Sequence, residues 1–166
     1  MKKNLSMYLV VILFLASSHF GCAPKTIVTT SVTGAIDSEN RLLIATQDSE
    51  FKNAVVSNIL DDLGKKNVSI EIVDLVNLSG KPVENYDAIV ILNDYKFLRL
   101  DEDVIDFLEK MDKDTKQKTI LLTTAGSPGL VGKIPEIDAV TSASKTAKVE
   151  VMSDMVLQKI NYLLFE

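Results

Sequence analysis

Apolar residues follow two rhythms along this chain, short unbroken runs and a helical spacing, and the two alternate. Arg41 to Thr46, RLLIAT, is a continuous apolar run of strand length, the texture of a strand buried on both faces. After it Phe51, Val55, Val56, Ile59, Leu60 and Leu63 fall at helical spacing. Asp48 or Ser49 can cap that helix, and Gly64, followed by Lys65 and Lys66, can end it. Val68 to Val73, VSIEIV, alternates apolar and polar as an edge strand does. Tyr86 to Leu92, YDAIVIL, is continuous again. Asp101, Glu102 and Asp103 open a second helix at its positive end, with Val104, Phe107, Leu108 and Met111 as the buried stripe. Thr119 to Thr124, TILLTT, reads as another buried strand, followed by the Gly/Pro-rich stretch AGSPGLVGKIPEI. Asp138 to Ser142 predicts a short last strand. A final helix from about Lys148 turns Val149, Met152, Met155, Val156, Ile160 and Leu163 inward.

Strand–helix alternation predicts a parallel sheet with right-handed crossovers. The first, third and fourth strands have interior texture, and the second and fifth have edge texture. An order 2-1-3-4-5 gives that distribution. Pro82, Pro128 and Pro135 break any helical pattern after the second and fourth strands, so the helices on one face are reduced. That face is left either as a docking surface or under a cover of Val83, Leu130, Val131 and Ile134.

The amino terminus has a different texture. Lys2 and Lys3 precede the apolar run Met7 to Ala16, which is short for a membrane-spanning helix and suits a secretory signal. Gly21 directly before Cys22 resembles the cleavage box of bacterial lipoproteins, although His19 stands where that box usually has leucine. The resemblance implies cleavage before Cys22 and its acylation, palmitate being a typical acyl chain. The alternatives are an uncleaved anchor or an ordinary secretory signal. The expected organisation is a signal peptide over 1–21, a lipid-anchored tether over 22–40 and a folded domain over 41–166. The tether is rich in Thr and Ser, and TIVTTSV within it can pair as a strand. The expected address is the cell envelope, with the domain extracytoplasmic (periplasmic) and joined to the membrane through its lipid.

Loss of 1–21 would change the available chemistry. The single His is His19 and the single Cys is Cys22, and the chain has no Trp. Cleavage would remove His19 and acylation would take the Cys22 thiol; a mature chain with no His and no free Cys excludes Ser-His-Asp and Cys-His catalysis, His/Cys zinc sites and disulfides, and predicts no metal site. Losing two lysines and no acid takes the formal charge from −5 to −7. An acidic body repels nucleic acid and offers no polybasic membrane patch.

From Arg41 to the C-terminus the chain resembles the flavodoxin-like fold: a three-layer sandwich around a five-stranded parallel sheet of order 2-1-3-4-5. RLLIAT before a capped helix resembles that family's first strand and phosphate loop, YDAIVILNDY its third strand, and KTILLTTAGSPG its fourth strand and following loop. The resemblance implies an FMN site built from Thr46 and Ser49 at the phosphate, Asn93 and Tyr95 near the flavin ring, and Thr124, Gly126 and Ser127 in the loop beyond. The family's phosphate loop resembles Thr-x-Thr-Gly-x-Thr, whereas here Asp48 and Glu50 flank Ser49 and no glycine is present. A carboxylate about 4 Å from a phosphate charge repels it by about 4 kcal/mol at an effective dielectric of 20. Lys52 can offset one of the two. The competing reading has Asp48 capping the helix and occupying the amides that a phosphate would use. Likewise Tyr95 either stacks on a flavin or covers the rim of the core.

Asp138 to Thr146, DAVTSASKT, also resembles the motif Asp-x-x-Ser/Thr-Gly-Ala-Thr/Ser of extracytoplasmic domains that carry covalent FMN. Asp138, Thr141, Ala143 and Ser144 match, and Ser142 replaces the glycine. The resemblance makes Ser144 a candidate for flavin attachment; the alternative is an edge strand ending in a Ser/Thr turn that caps the last helix. The leading functional expectation is a non-catalytic binding or scaffold module without cofactor, with an unidentified protein partner. An FMN-binding electron carrier at the membrane surface is second, and a hydrolase using Asp48, Glu50 or Asp94 is third.

Overall fold

The computed structural model describes residues 28–35, 38–96, 99–127 and 136–166. The signal segment, Cys22, Pro128, Leu130, Val131, Ile134 and Pro135 lie outside them. Six strands, β1 (Ser31–Gly34), β2 (Arg41–Thr46), β3 (Ser69–Asp74), β4 (Ala88–Tyr95), β5 (Thr119–Ala125) and β6 (Asp138–Ser142), form one sheet in the order β1-β3-β2-β4-β5-β6. The last five strands are parallel and reproduce the expected 2-1-3-4-5 order.

The expected count of five strands is corrected to six. β1 pairs antiparallel with β3, Ser31 opposite Ile72 and Gly34 opposite Ser69, so β3 is not an edge. The alternation in β3 reflects its neighbour: β1 is a short strand with all four residues exposed. Gly34 fixes the corner. Its φ is +84°, and a side chain there would place a Cβ 2.3 Å from the Val68 carbonyl oxygen. Only glycine adopts that conformation at that approach without strain. β1 lies within the range read as tether.

Among the described residues, four helices flank the sheet: α1 (Glu50–Leu63), α2 (Glu102–Lys110), α3 (Lys113–Gln117) and α4 (Val149–Phe165). Successive strand residues point to opposite faces, and the core divides accordingly. Leu42, Ile44, Val90, Leu92, Ile120 and Leu122 meet Val55, Ile59 and Leu63 of α1 and Met152, Val156 and Ile160 of α4. Each such side chain contributes about 1.5–3 kcal/mol by its burial. Leu43, Ala45, Ile89, Ile91 and Leu121 face the shorter α2 and the 3₁₀ segment Leu75–Gly80. Among the described residues, the expected reduction of helices on one face is therefore present. One inward position fails: Met155 is exposed on α4.

Candidate functional site

In a parallel sheet, ligand crevices form beyond the strand C-termini where neighbouring connections leave in opposite directions. Here that point lies between β2 and β4. The chain leaves β2 through α1, and it leaves β4 toward α2 on the other face. Asp94 and Thr124 are register partners at the ends of β4 and β5. Lys52 enters from the first turn of α1. It stands three, four and seven residues before Val55, Val56 and Ile59, which places it on the inward face of that helix.

Lys52 is the centre of the site. It is 1% exposed, and its Nζ lies 2.7 Å from Asp94 Oδ1. It also donates to Gln47 Oε1 at 3.4 Å. Gln47 Nε2 donates in turn to Asp101 Oδ2 at 2.7 Å. Asp94 is held from further sides: Lys96 Nζ lies 2.8 Å from Oδ2, and Thr124 Oγ1 donates to Oδ1 at 2.6 Å. Burial alone would raise the Asp94 carboxyl; bonds from Lys52, Lys96 and Thr124 outweigh it and hold it down at about 2. Burial lowers the Lys52 ammonium pKa, and the Asp94 carboxylate opposes that shift. The geometry, with an anion at 2.7 Å, favours the charged pair.

Two hollows share Asp94 and Lys96. One, of about 370 Å³, is lined by Ser49, Glu50 and Phe51 of the α1 N-terminus, by Thr124 to Gly126, and by Ser144 and Thr146 after β6. The other, of about 300 Å³, lies towards Gln47, Arg99 and Asp101 to Asp103. On the face opposite Asp94, the register partners Asn93 and Thr123 bury Nδ2 and Oγ1 without a hydrogen-bond partner. Asn93 Oδ1 accepts from the Asp101 backbone N–H at 3.4 Å.

The residues singled out from the sequence separate into groups. Ser49, Thr124, Gly126 and Ser144 line the larger hollow together. Thr46 does not; it borders a different concavity beside Val28 and Asn53. Tyr95 and Ser127 line neither of the hollows that share Asp94. Asn93 is fully buried beneath the surface. The cap is corrected: Ser49, not Asp48, is the N-cap of α1, its Oγ accepting from the Lys52 N–H at 3.2 Å. Asp48 instead accepts from Asn53 Nδ2 at 2.7 Å. No side chain caps α4, where Lys148 holds the N-cap position. The sequence offers Lys52 as an offset to one of the two loop acids and Asp101 as the opening of a helix, and singles out neither Gln47 nor Lys96. The helical period that selects Val55, Val56 and Ile59 includes Lys52 as well, and that was the available signal. Among the described residues, no cluster of acids, His or Cys is arranged to hold a metal ion.

No protein-family model and no curated protein matches the chain. Solved structures are similar at low identity. A flavodoxin from the domain Archaea is 8% identical with a TM-score of 0.52, the match covering 74% of this chain and 98% of that one. An NADH:FMN oxidoreductase in its apo form is 10% identical with a TM-score of 0.56, covering 76% and 91%. The oxidised Flavodoxin 2 from Bacillus cereus is 14% identical with a TM-score of 0.50, covering 74% and 98%. At these identities the likeness carries the fold, and the chain contains a flavodoxin-like domain.

Proposed function

We propose that this domain is a non-catalytic binding module, anchored to the membrane through a lipid on Cys22, whose flavodoxin-like site does not take the phosphate of FMN. The observation that carries the reading is the Lys52–Asp94 ion pair. A phosphate at a helix N-terminus needs free amides and an available positive charge. Here the buried cation of α1 is already neutralised by the chain's own carboxylate at 2.7 Å. Ser49 engages the Lys52 amide, and Glu50 lines the hollow with its own negative charge. The residues of this cradle do not fit a phosphate dianion. What remains in the hollow is a set of hydroxyls from Ser49, Thr124, Ser144 and Thr146, with Glu50 and Lys96 at its wall. That lining suits an uncharged polar or cationic group better than an anion.

The second reading, an FMN-binding electron carrier, is supported by the hollow's place at the strand ends and by the likeness to an NADH:FMN oxidoreductase. It requires Lys52 to exchange Asp94 for the phosphate. Titrating FMN into the purified protein separates the two. The first reading predicts unchanged flavin fluorescence and absorbance; stoichiometric quenching with a shifted visible band establishes the second. Mass spectrometry of the N-terminal peptide tests the anchor, and an unmodified Cys22 would remove it.

A further inference from the structure

Helix α4 carries two apolar faces, and the sheet covers one; on the other, Lys66 Nζ lies 5.7 Å from the centroid of the Phe165 ring. Met152, Val156, Ile160 and Leu164 are buried against the sheet. On the opposite side Val151, Met155, Tyr162 and Phe165 are 50, 40, 66 and 46% exposed. With exposed Gln158 they form the series 151, 155, 158, 162, 165. Those steps of four, three, four and three are the a/d repeat of a two-stranded coiled coil, over two heptads. A helix that needed only to cover this sheet would have no use for the second stripe.

The charges beside the stripe say which partner fits. With Met155 and Tyr162 at a positions, Asp154 is a g position and Lys159 the following e position. In a parallel pair of identical helices, g of one faces the next e of the other, so Asp154 meets the second copy's Lys159 on both sides of the seam. In an antiparallel pair with Val151 level with Phe165, g faces g, and Asp154 would lie across from Asn161 without gaining an ion pair. Asp154 makes no ion pair among the described residues, whereas Lys159 Nζ already donates to Asp138 and lies between the two acids in the pair. Beside the C-terminal half of the stripe is a hollow of about 400 Å³, bordered by Ile120, Gln158, Tyr162 and Leu163. It gives the partner's large side chains at 162 and 165 a recess to enter.

We propose that the protein self-associates through α4 as a parallel two-fold dimer, with the seam Val151, Met155, Gln158, Tyr162 and Phe165. The dimer axis runs along the helix, so both copies present the same end of the sheet to the same side. A 17-residue helix is about 25 Å long. The seam is therefore smaller than the ~800 Å² per partner of a standard stable interface, and the dimer is of the weak, concentration-dependent kind.

The test uses the full chain with single cysteines added at the two ends of the seam. Val151→Cys and Phe165→Cys are oxidised separately, with the unaltered chain as the control for Cys22 and Lys113→Cys as an exposed site off the seam. A parallel dimer converts each seam variant into a disulfide-linked dimer, leaving both controls monomeric. Asp154→Lys lowers that yield several-fold, and Asp154→Lys combined with Lys159→Glu restores it. The proposal is overturned if neither seam variant links to itself, as when another segment of the chain or a different partner covers the stripe. It is equally overturned if linkage appears only in a mixture of Val151→Cys with Phe165→Cys, which marks an antiparallel pair.

Discussion

Two half-buried carboxylates in this domain are held by lysine and a hydroxyl, one lysine at Glu71 and two at Asp94, and they differ in where those lysines stand. Glu71 stands in the middle of β3. It accepts from Lys81 Nζ at 2.5 Å and from the Tyr86 hydroxyl. Burial raises its carboxyl, the bonds from Lys81 and Tyr86 outweigh that, and the net shift is downward. Its lysine is 22% exposed and can find water if the acid is lost. Asp94 stands at the strand ends, between exposed Lys96 and Lys52, which is 1% exposed. Lys52 is buried, with Gln47 as its other acceptor. The Glu71 cluster pins the 3₁₀ connection to the sheet. The Asp94 cluster places a buried ion pair beside the hollows at the strand ends.

The largest difference should come from removing each acid. Asp94→Ala strands a buried ammonium and should lower unfolding free energy by about 3 kcal/mol, against about 1 kcal/mol for Glu71→Ala. Urea midpoints at neutral pH measure both; equal losses would erase the distinction. Replacing the pair together, Lys52→Met with Asp94→Ala, should recover most of the loss, because an apolar chain of similar length fills the space without a charge to satisfy.

Acid provides the next contrast. The Asp94 carboxyl is held near 2 in the folded state, below its ordinary 3.8. A depressed carboxyl contributes stability above the unfolded value that disappears as pH falls through the folded one. Stability should therefore drop between about pH 4 and pH 2 by on the order of 2 kcal/mol, and Asp94→Asn should flatten that slope. Glu71 reports through Tyr86 at the other end of the scale. Burial first, and then the Glu71 hydrogen bond and charge, push that phenol up to about 12. Spectrophotometric titration should show one late tyrosine, and Glu71→Gln should move it back toward 10.

The smallest effect on stability, within about 0.5 kcal/mol, should come from Asp48→Thr with Glu50→Thr on the surface of the loop. This pair should not create flavin binding by itself, because Lys52 stays with Asp94. Adding Asp94→Ser frees the cation and should yield measurable affinity for FMN.

The fold was legible because it rests on periodicity. Five strands and their order follow from RLLIAT, VSIEIV, YDAIVIL, TILLTT and DAVTS, whose textures record which faces are buried. β1 was weaker: it is four residues long and exposed, and its place depends on Gly34 meeting Val68, a contact that no local pattern announces. The site was half legible. Ser49, Thr124, Gly126 and Ser144 converge because a parallel sheet sends every βα loop to one end. Lys52 enters the sequence reading only as an offset to Asp48 or Glu50, although its helical position, in step with Val55, Val56 and Ile59, points inward. Met155 failed in the other direction, an apolar residue assigned to the core on type although its spacing belongs to the second stripe of α4.

The central claim is that the chain's own Asp94 occupies the cation a flavin phosphate would need. Flavin fluorescence during FMN titration, run side by side on the natural protein and on the Asp48→Thr/Glu50→Thr/Asp94→Ser variant, tests it most directly. The account predicts no quenching with the first and saturable quenching with the second. Saturable, one-to-one quenching with the natural protein would contradict it.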